Sequence, residues 1–199
     1  MKKPRLYFLS IIVALVTGSL FLGQGVYIYA KAQVAQMLLK SAWQETQLTR
    51  QHIKPWPWAD TWPIARMMVP AHQVDLVILA GDTGRTLAFA PGHRFGTPTP
   101  GAVGNSIVSA HRDTHFKFIK ELNIGDEIVI ENQLGVTKRF IVNSTDIIDS
   151  RTTELAIDYD QAVLTLVTCY PFESITVGGP LRYVVFATET EDFTNGVMI

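Results

Sequence analysis

The segment AVLTLVTC, residues 162–169, is the most strand-like part of the chain and is followed directly by Tyr170 and Pro171. Apolar and β-branched residues favour a strand, and a proline lacks the backbone donor that would continue one. Six further short runs are also rich in apolar and β-branched residues and are separated by Gly, Pro, Asn and Asp. We predict that they are strands, at residues 64–69, 74–79, 105–111, 127–131, 137–142 and 182–188. Seven or eight short strands predict a mostly β fold, a closed or nearly closed barrel.

One connection between these runs predicts a tight turn. Residues 132–135, Asn-Gln-Leu-Gly, fit a hairpin loop between two predicted strands. We predict helix only at residues 114–122 and 153–157 within this part of the chain. Such a pattern indicates a single β domain with a few short helices, which we place at residues 61–199.

The first thirty residues predict a membrane anchor. Lys2, Lys3 and Arg5 precede residues 6–30, a run without formal charge. As a helix this run would be about 37 Å long, enough to span a bilayer. The basic residues predict that the N-terminus lies in the cytoplasm and the rest outside, after a single pass. A cleaved signal peptide is the alternative, but its apolar core is usually about 7–15 residues, so a retained anchor is favoured.

A helical stalk is predicted after the anchor. Apolar residues recur at helical spacing over residues 32–53, and Pro55 is expected to end the helix. Residues 31–60 therefore form a juxtamembrane stalk and a linker rich in proline and tryptophan. The tryptophans are expected to pack on the domain, with a position at the lipid headgroups as the alternative.

Composition excludes several classes of protein. The chain has 17 basic and 18 acidic residues and a net charge of −1, which argues against a nucleic-acid-binding protein with a basic face. Its aromatic content of 10% argues against intrinsic disorder. The one cysteine excludes an internal disulfide and a cysteine-cluster metal site. This thiol is therefore core filler, an intermolecular link or a nucleophile.

Three residues at predicted strand ends could form a reactive site. Cys169 lies where a strand gives way to a loop, where functional groups are commonly displayed. If strand 182–188 pairs antiparallel with strand 162–169, Arg182 lies beside Cys169. Arginine could stabilise a thiolate or the oxyanion formed when a thiolate attacks a carbonyl. His111 also ends an apolar run and could act as the base or general acid that such a thiol requires.

A metal site is the competing interpretation of the same region. His111, Asp113 and His115 occupy alternate positions and would share one face if the segment were extended. Zinc accepts nitrogen and oxygen ligands of this kind. The sequence from Thr114 onward resembles a helix start, however, which would break the common face.

The motifs of this chain resemble those of sortases. They are SAHRDT at residues 109–114, TLVTC at residues 165–169, and the downstream Arg182. The resemblance covers residues 64–187, and HRDT together with TCYPF is similar to class D sortases and to the single sortases of Gram-negative bacteria. Ala110 replaces the glycine that many members carry before the histidine.

The resemblance implies an eight-stranded sortase barrel and a cysteine transpeptidase without a metal or cofactor. It implies that Cys169 is the nucleophile, His111 the general acid and base, and Arg182 the ligand of substrate and oxyanion. Thr168 would contact the acyl carbonyl or position the arginine, and Asp113 would orient nearby groups. The loops at residues 143–161 and 170–181 would recognise the sorting signal, with substrate contacts from Tyr170, Pro171 and Phe172.

The implied substrate is a protein bearing an LPxTG-like sorting signal, cleaved between Thr and Gly. The implied acceptor is an amine of peptidoglycan or of a pilin-like subunit. Two alternatives are a non-enzymatic barrel that binds an envelope protein and, less favoured, a zinc hydrolase.

Overall fold

The computed structural model describes residues 3–174 and 178–190, with side chains from residue 7 onward. A single α-helix, α1, runs from Lys3 to Thr49. By length and composition it is the one helix among the described residues that could cross a membrane. The compact unit that contains the barrel begins at Leu39, and residues 1–38 form a second unit.

Helix α1 includes the predicted stalk but ends earlier than expected. The predicted end was residue 53, ahead of Pro55. Instead Arg50 adopts a left-handed conformation with φ 57°, and its N–H bonds the Thr46 carbonyl at 2.8 Å. A left-handed residue is a common helix terminator, so the proline is not what ends this helix.

Eight strands form a closed barrel, which confirms the predicted fold. Around the barrel the order is β1-β2-β3-β4-β7-β8-β6-β5. The strand bounds are β1 Pro63–Val69, β2 Val74–Ala80, β3 Gly92–His93, β4 Gly104–Ser109, β5 Glu127–Asn132, β6 Thr137–Asp149, β7 Ala162–Cys169 and β8 Leu181–Glu189. Pairing is antiparallel except between β2 and β3 and between β4 and β7.

Strands β3 and β6 differ most from the prediction. Strand β3 has only two residues and was not predicted, because no periodic pattern exists over so short a length. Strand β6 continues to Asp149, whereas residues 143–149 were predicted as loop. This extension pairs with β8 as far as Asp149. Residues 143–147 are exposed on both faces of the strand, so this part of the sequence has no alternating apolar pattern.

The predicted helices are shorter or absent. Only Lys117–Glu121 within residues 114–122 is helical, as a 3₁₀ turn, and residues 153–157 form no helix. Two other short helices are α2, Gly84–Leu87, and a 3₁₀ turn at Pro70–His72. The predicted hairpin loop is confirmed, since Asn132 Oδ1 accepts hydrogen bonds from the N–H groups of Leu134 and Val136.

The barrel interior is the main core. Its largest fully buried side chains include Phe116, Phe140, Leu164 and Leu166. A second apolar cluster lies outside the barrel, where Leu39 and Trp43 of helix α1 pack against Val77 and Leu79 of β2.

The proline- and tryptophan-rich linker was predicted to pack on the domain. Trp56 does so, with its ring 4.8 Å from that of Phe89. Trp58 is exposed.

A third cluster covers the outer face of β4, β7 and β8. Ile107, Val167 and Val184 form it, and Ile148 and Leu155 pack against it. Strand β7 is consequently buried on both faces, as its continuous apolar sequence indicates. The cluster also provides an apolar floor near the end of β7, beside the candidate site.

Candidate active site

Cys169 is the last residue of β7, and its thiol is half-buried. It lies directly opposite Arg182 in the antiparallel β7–β8 register. Side chains alternate along a strand, so Cys169 lies on the same face as Val167, which belongs to the outer apolar cluster. On β8, Arg182 and Val184 share that face. The predicted pairing of the two strands is therefore formed, and it places both residues on one edge and one face of the sheet.

His111 reaches the same edge from β4. Strands β4 and β7 run parallel, with Ser109 opposite Val167, so they end together. The predicted strand extended to His111, but β4 ends at Ser109 and His111 is an exposed residue of the following turn. The Ala110 N–H bonds the Val167 carbonyl at 3.1 Å, so the first residue beyond β4 is still attached to β7.

A cavity of about 570 Å³ brings the three residues together. His111, Cys169 and Arg182 all line it. Its apolar lining includes Ile107 and Val167 of the outer cluster. One wall comes from the segment after β6, including Thr153, Glu154, Leu155 and Ile157. Its size falls within the range of small-ligand pockets.

The guanidinium of Arg182 is fixed on one side. Nη1 donates to the Gly179 carbonyl at 2.7 Å and to the Leu181 carbonyl at 2.8 Å. These bonds use both N–H groups of Nη1. Nη2 and Nε make no further hydrogen bond within residues 3–174 and 178–190, so their three N–H groups are available to an anionic or carbonyl ligand.

Thr168 and Asp113 take different positions. Thr168 is buried, and its Oγ1 donates to the Ala110 carbonyl at 2.6 Å. It thus joins β7 to the turn that carries His111, and its hydroxyl is not bonded to Arg182. The side chain of Asp113 is 71% exposed and lies 3.4 Å from Nε of Arg112.

The residues after Cys169 form an aromatic cluster. The ring centroid of Phe172 lies 5.1 Å from that of Tyr183 and 6.1 Å from that of Tyr170. Phe172 also packs against the barrel core. None of Tyr170, Pro171 and Phe172 lines the main cavity. Tyr170 lines a small separate cleft beside Cys169.

The arrangement needed for a zinc site is not formed. Residues 111–116 follow successive turns instead of one extended strand. No group of three His, Cys, Asp or Glu side chains suited to a metal occurs in the part of the chain that the structure describes. Burial lowers the pKa of His115 below its ordinary value, and the proximity of His111 lowers it further.

Several site residues were not predicted from the sequence. Asp82 and Arg94 line the main cavity and form an ion pair at 3.2 Å. Both lie in irregular segments without a motif, so no local signal marks them. Arg112 is 8% exposed, which its charge alone does not suggest.

Comparisons with known proteins agree with the fold and the motifs. A family model described as a sortase domain matches residues 67–190. Sortase D of Bacillus subtilis (strain 168) is 29% identical over 118 residues, which is 59% of this chain and 59% of that relative's length.

Solved structures show the same relation. The Sortase D5 transpeptidase of Clostridium perfringens superposes with a TM-score of 0.63 at 25% identity, covering 79% of this chain and 99% of that one. Sortase C-1 of Actinomyces oris gives 0.56 at 29% identity, covering 64% and 72%. Two of these three relatives are class D enzymes by name, in agreement with the resemblance of the motifs. From its barrel, its motifs and the family model that spans most of its length, this chain belongs to the sortase family.

Proposed function

We propose that this protein is a membrane-anchored cysteine transpeptidase that uses Cys169, His111 and Arg182. The observation that carries the proposal is their common position around one cavity at the edge of the barrel. A thiol, an imidazole and a guanidinium there supply a nucleophile, a proton carrier and a donor for an oxyanion.

The first step forms a thioacyl enzyme. The Cys169 thiolate attacks the carbonyl carbon of the Thr–Gly bond in an LPxTG-like signal. Negative charge develops on the carbonyl oxygen, and Nη2 and Nε of Arg182 donate to it. His111 as imidazolium protonates the glycine nitrogen, the C–N bond breaks, and the new amine leaves.

The second step reverses the roles. An acceptor amine attacks the thioester carbon, and neutral His111 removes its proton. The C–S bond breaks and the Cys169 thiolate is regenerated. The thioester keeps the acyl group activated, so no nucleotide is consumed. An amine of peptidoglycan or of a pilin-like subunit would give an attached surface protein.

The apolar part of helix α1, residues 6–30, would anchor the enzyme in the cytoplasmic membrane. Lys2, Lys3 and Arg5 favour a cytoplasmic N-terminus, and the barrel would then face the exterior or periplasm. A substrate with its own membrane tail would be presented beside it.

Intact-mass spectrometry tests the activity directly. Full-length protein in detergent is incubated with LPxTG-type peptides, with and without a small amine, beside Cys169→Ala. We expect an acyl adduct on the wild type, none on the variant, and discharge of the adduct by amine. Discharge by water alone would indicate a protease-like enzyme.

A non-enzymatic barrel that binds an envelope protein is the second candidate. Absence of any adduct, together with a Cys169 thiol that alkylates no faster than a model thiol, would favour it.

A further inference from the structure

Arg112 is a charged residue in an unexpected environment. It follows His111 directly, yet it is only 8% exposed. Burying an ionised group is costly unless its charge and its donors are satisfied. The neighbouring carboxylate, Asp113, is 71% exposed and 3.4 Å away, so solvent screens this ion pair. The remaining donors of the guanidinium must therefore be satisfied by other groups.

Two main-chain carbonyls accept hydrogen bonds from these remaining donors. Nη1 of Arg112 donates to the Pro171 carbonyl, and Nη2 donates to the Ser174 carbonyl. Both carbonyls belong to residues 170–174, the segment that follows Cys169. The guanidinium thus bridges the turn that carries His111 and the segment after the candidate nucleophile.

The two bonds require the shape of arginine. A guanidinium presents its donors in a planar, rigid fork and remains charged at every relevant pH. A lysine ammonium is a single point charge, so it cannot hold both carbonyls in the same geometry.

The bridge completes a pair of attachments around His111. On one side, Ala110 is bonded to β7 through its N–H to Val167 and through its carbonyl to Thr168. On the other side, Arg112 is bonded to residues 171 and 174. The side chain of His111 is exposed, so its backbone attachments are what fix its position relative to Cys169.

We propose that Arg112 is a positioning residue that holds His111 at Cys169 by clamping the turn to the segment after the nucleophile. This inference rests on the proposed function, in which His111 moves protons for Cys169. Catalytic rates are sensitive to such placement, since a displacement of about 1 Å can cost about 100-fold. Loss of the clamp is therefore expected to lower the rate constant of the chemical step more than it weakens substrate binding.

The test compares Arg112→Ala, Arg112→Lys, His111→Ala and the wild type as full-length proteins in detergent. Arg66→Ala is the matched control, because Arg66 forms ion pairs with Asp75 and Glu131 on β2 and β5 and does not line the cavity. The measurements are kcat and KM for peptide cleavage, the melting temperature, and the rate of Cys169 alkylation by iodoacetamide between pH 5 and 10. Alkylation requires no peptide, so it reports the thiol–imidazole pair in the folded protein.

We expect Arg112→Ala to lower kcat by about 10- to 100-fold while KM changes less than threefold. The pH dependence of Cys169 alkylation in Arg112→Ala should resemble that of His111→Ala. Addition of millimolar methylguanidinium should restore part of the kcat of Arg112→Ala. Arg112→Lys should remain closer to Arg112→Ala than to the wild type, and Arg66→Ala should match the wild type in kcat, KM and alkylation rate.

The proposal is overturned if folded Arg112→Ala keeps the wild-type alkylation profile and kcat, or if its whole loss follows from a lower folded fraction. If the wild type itself forms no acyl adduct, the proposed function fails instead, and the alkylation profiles still decide whether Arg112 positions His111.

Discussion

Replacing Asn105 tests how the wall of the cavity is held in place. Asn105 is fully buried in β4. Its Nδ2 donates to the Ala156 carbonyl at 2.7 Å, and its Oδ1 accepts from Thr165 Oγ1 at 2.6 Å. Its backbone N–H also bonds the Ile157 carbonyl. One side chain therefore ties the segment that carries Leu155 and Ile157 to two central strands.

The expected loss of stability follows from the two side-chain bonds. Asn105→Ala leaves the Thr165 hydroxyl and the Ala156 carbonyl without this partner. The buried Thr165 hydroxyl left unsatisfied costs about 1–3 kcal/mol, and the lost bond to the carbonyl of the exposed Ala156 costs about 0.5–1.5 kcal/mol. The free energy of unfolding should therefore fall by about 1.5–4.5 kcal/mol. The corresponding drop in melting temperature is on the order of 10 °C for a domain of this size.

The same change should weaken peptide binding. Leu155 and Ile157 line the cavity, and the segment that carries them would lose its side-chain bond to β4 while keeping the bond from the Asn105 N–H to the Ile157 carbonyl. We expect KM for the peptide to rise severalfold. The rate of Cys169 alkylation by a small reagent should be unchanged, because Cys169, His111 and Arg182 lie outside the segment that carries Leu155 and Ile157.

Urea unfolding and steady-state kinetics on Asn105→Ala, Asn105→Asp and Thr165→Val check this reasoning. Thr165→Val removes only the hydroxyl bond and should cost less than Asn105→Ala. Burial should raise the pKa of the carboxyl in Asn105→Asp, so the folded state holds its proton more tightly than the unfolded state. That variant should gain stability as the pH falls from 7 towards 4. A loss below about 1 kcal/mol in Asn105→Ala, with KM unchanged, would refute the anchoring role.

Three further perturbations address the barrel and its docked helix. Trp43→Ala removes a side chain that is 4% exposed and should lower the free energy of unfolding by about 3–5 kcal/mol, measured in urea. Gly92→Ala would place a Cβ 2.3 Å from the Gly81 carbonyl oxygen and should cost about 1–3 kcal/mol, seen as a lower melting temperature. The hydrogen bond from Arg66 lowers the pKa of Asp75, so stability from this pair is present above the ordinary value of 3.8 and is lost as the pH falls through the lower folded value. Stability of Arg66→Ala should therefore decline less between pH 4 and pH 2 than that of the wild type, and equal slopes would contradict this assignment.

Most of the barrel is predictable because its strands carry apolar or alternating patterns. The prediction for β7 matches the structure residue for residue, since a strand buried on both faces is apolar throughout its length. The extension of β6 was not predictable, because residues 143–146 are polar and exposed and the extension is held by pairing with β8. Such pairing depends on residues 32 to 42 positions away along the chain and leaves no local pattern.

The candidate site was predictable for a related reason. Cys169, His111 and Arg182 each lie at or just beyond the end of a patterned strand, and antiparallel pairing of two of these strands places Cys169 beside Arg182. The parallel pairing of β4 with β7, which brings His111 to the same edge, was not predicted from the sequence. Arg112 and Asn105 act through bonds to main-chain carbonyls of distant segments. Nothing in the sequence specifies which carbonyl a side chain will meet, so their roles required the structure.

The position of the candidate site residues depends on the register between β7 and β8 more than on which side chains fill the core. Arg182 and Val184 lie on the cavity face of β8, whereas Tyr183 packs towards the barrel interior. A slip of one residue between β7 and β8 would turn Arg182 inward and bring Tyr183 to the cavity. Such a slip would remove the proposed oxyanion donor from the cavity without changing the composition of either strand. The fold itself tolerates wide substitution, since two solved sortase structures only 25% and 29% identical superpose on this chain with TM-scores of 0.63 and 0.56. A change that shifted the β7–β8 register would therefore affect the site far more than most changes in the core.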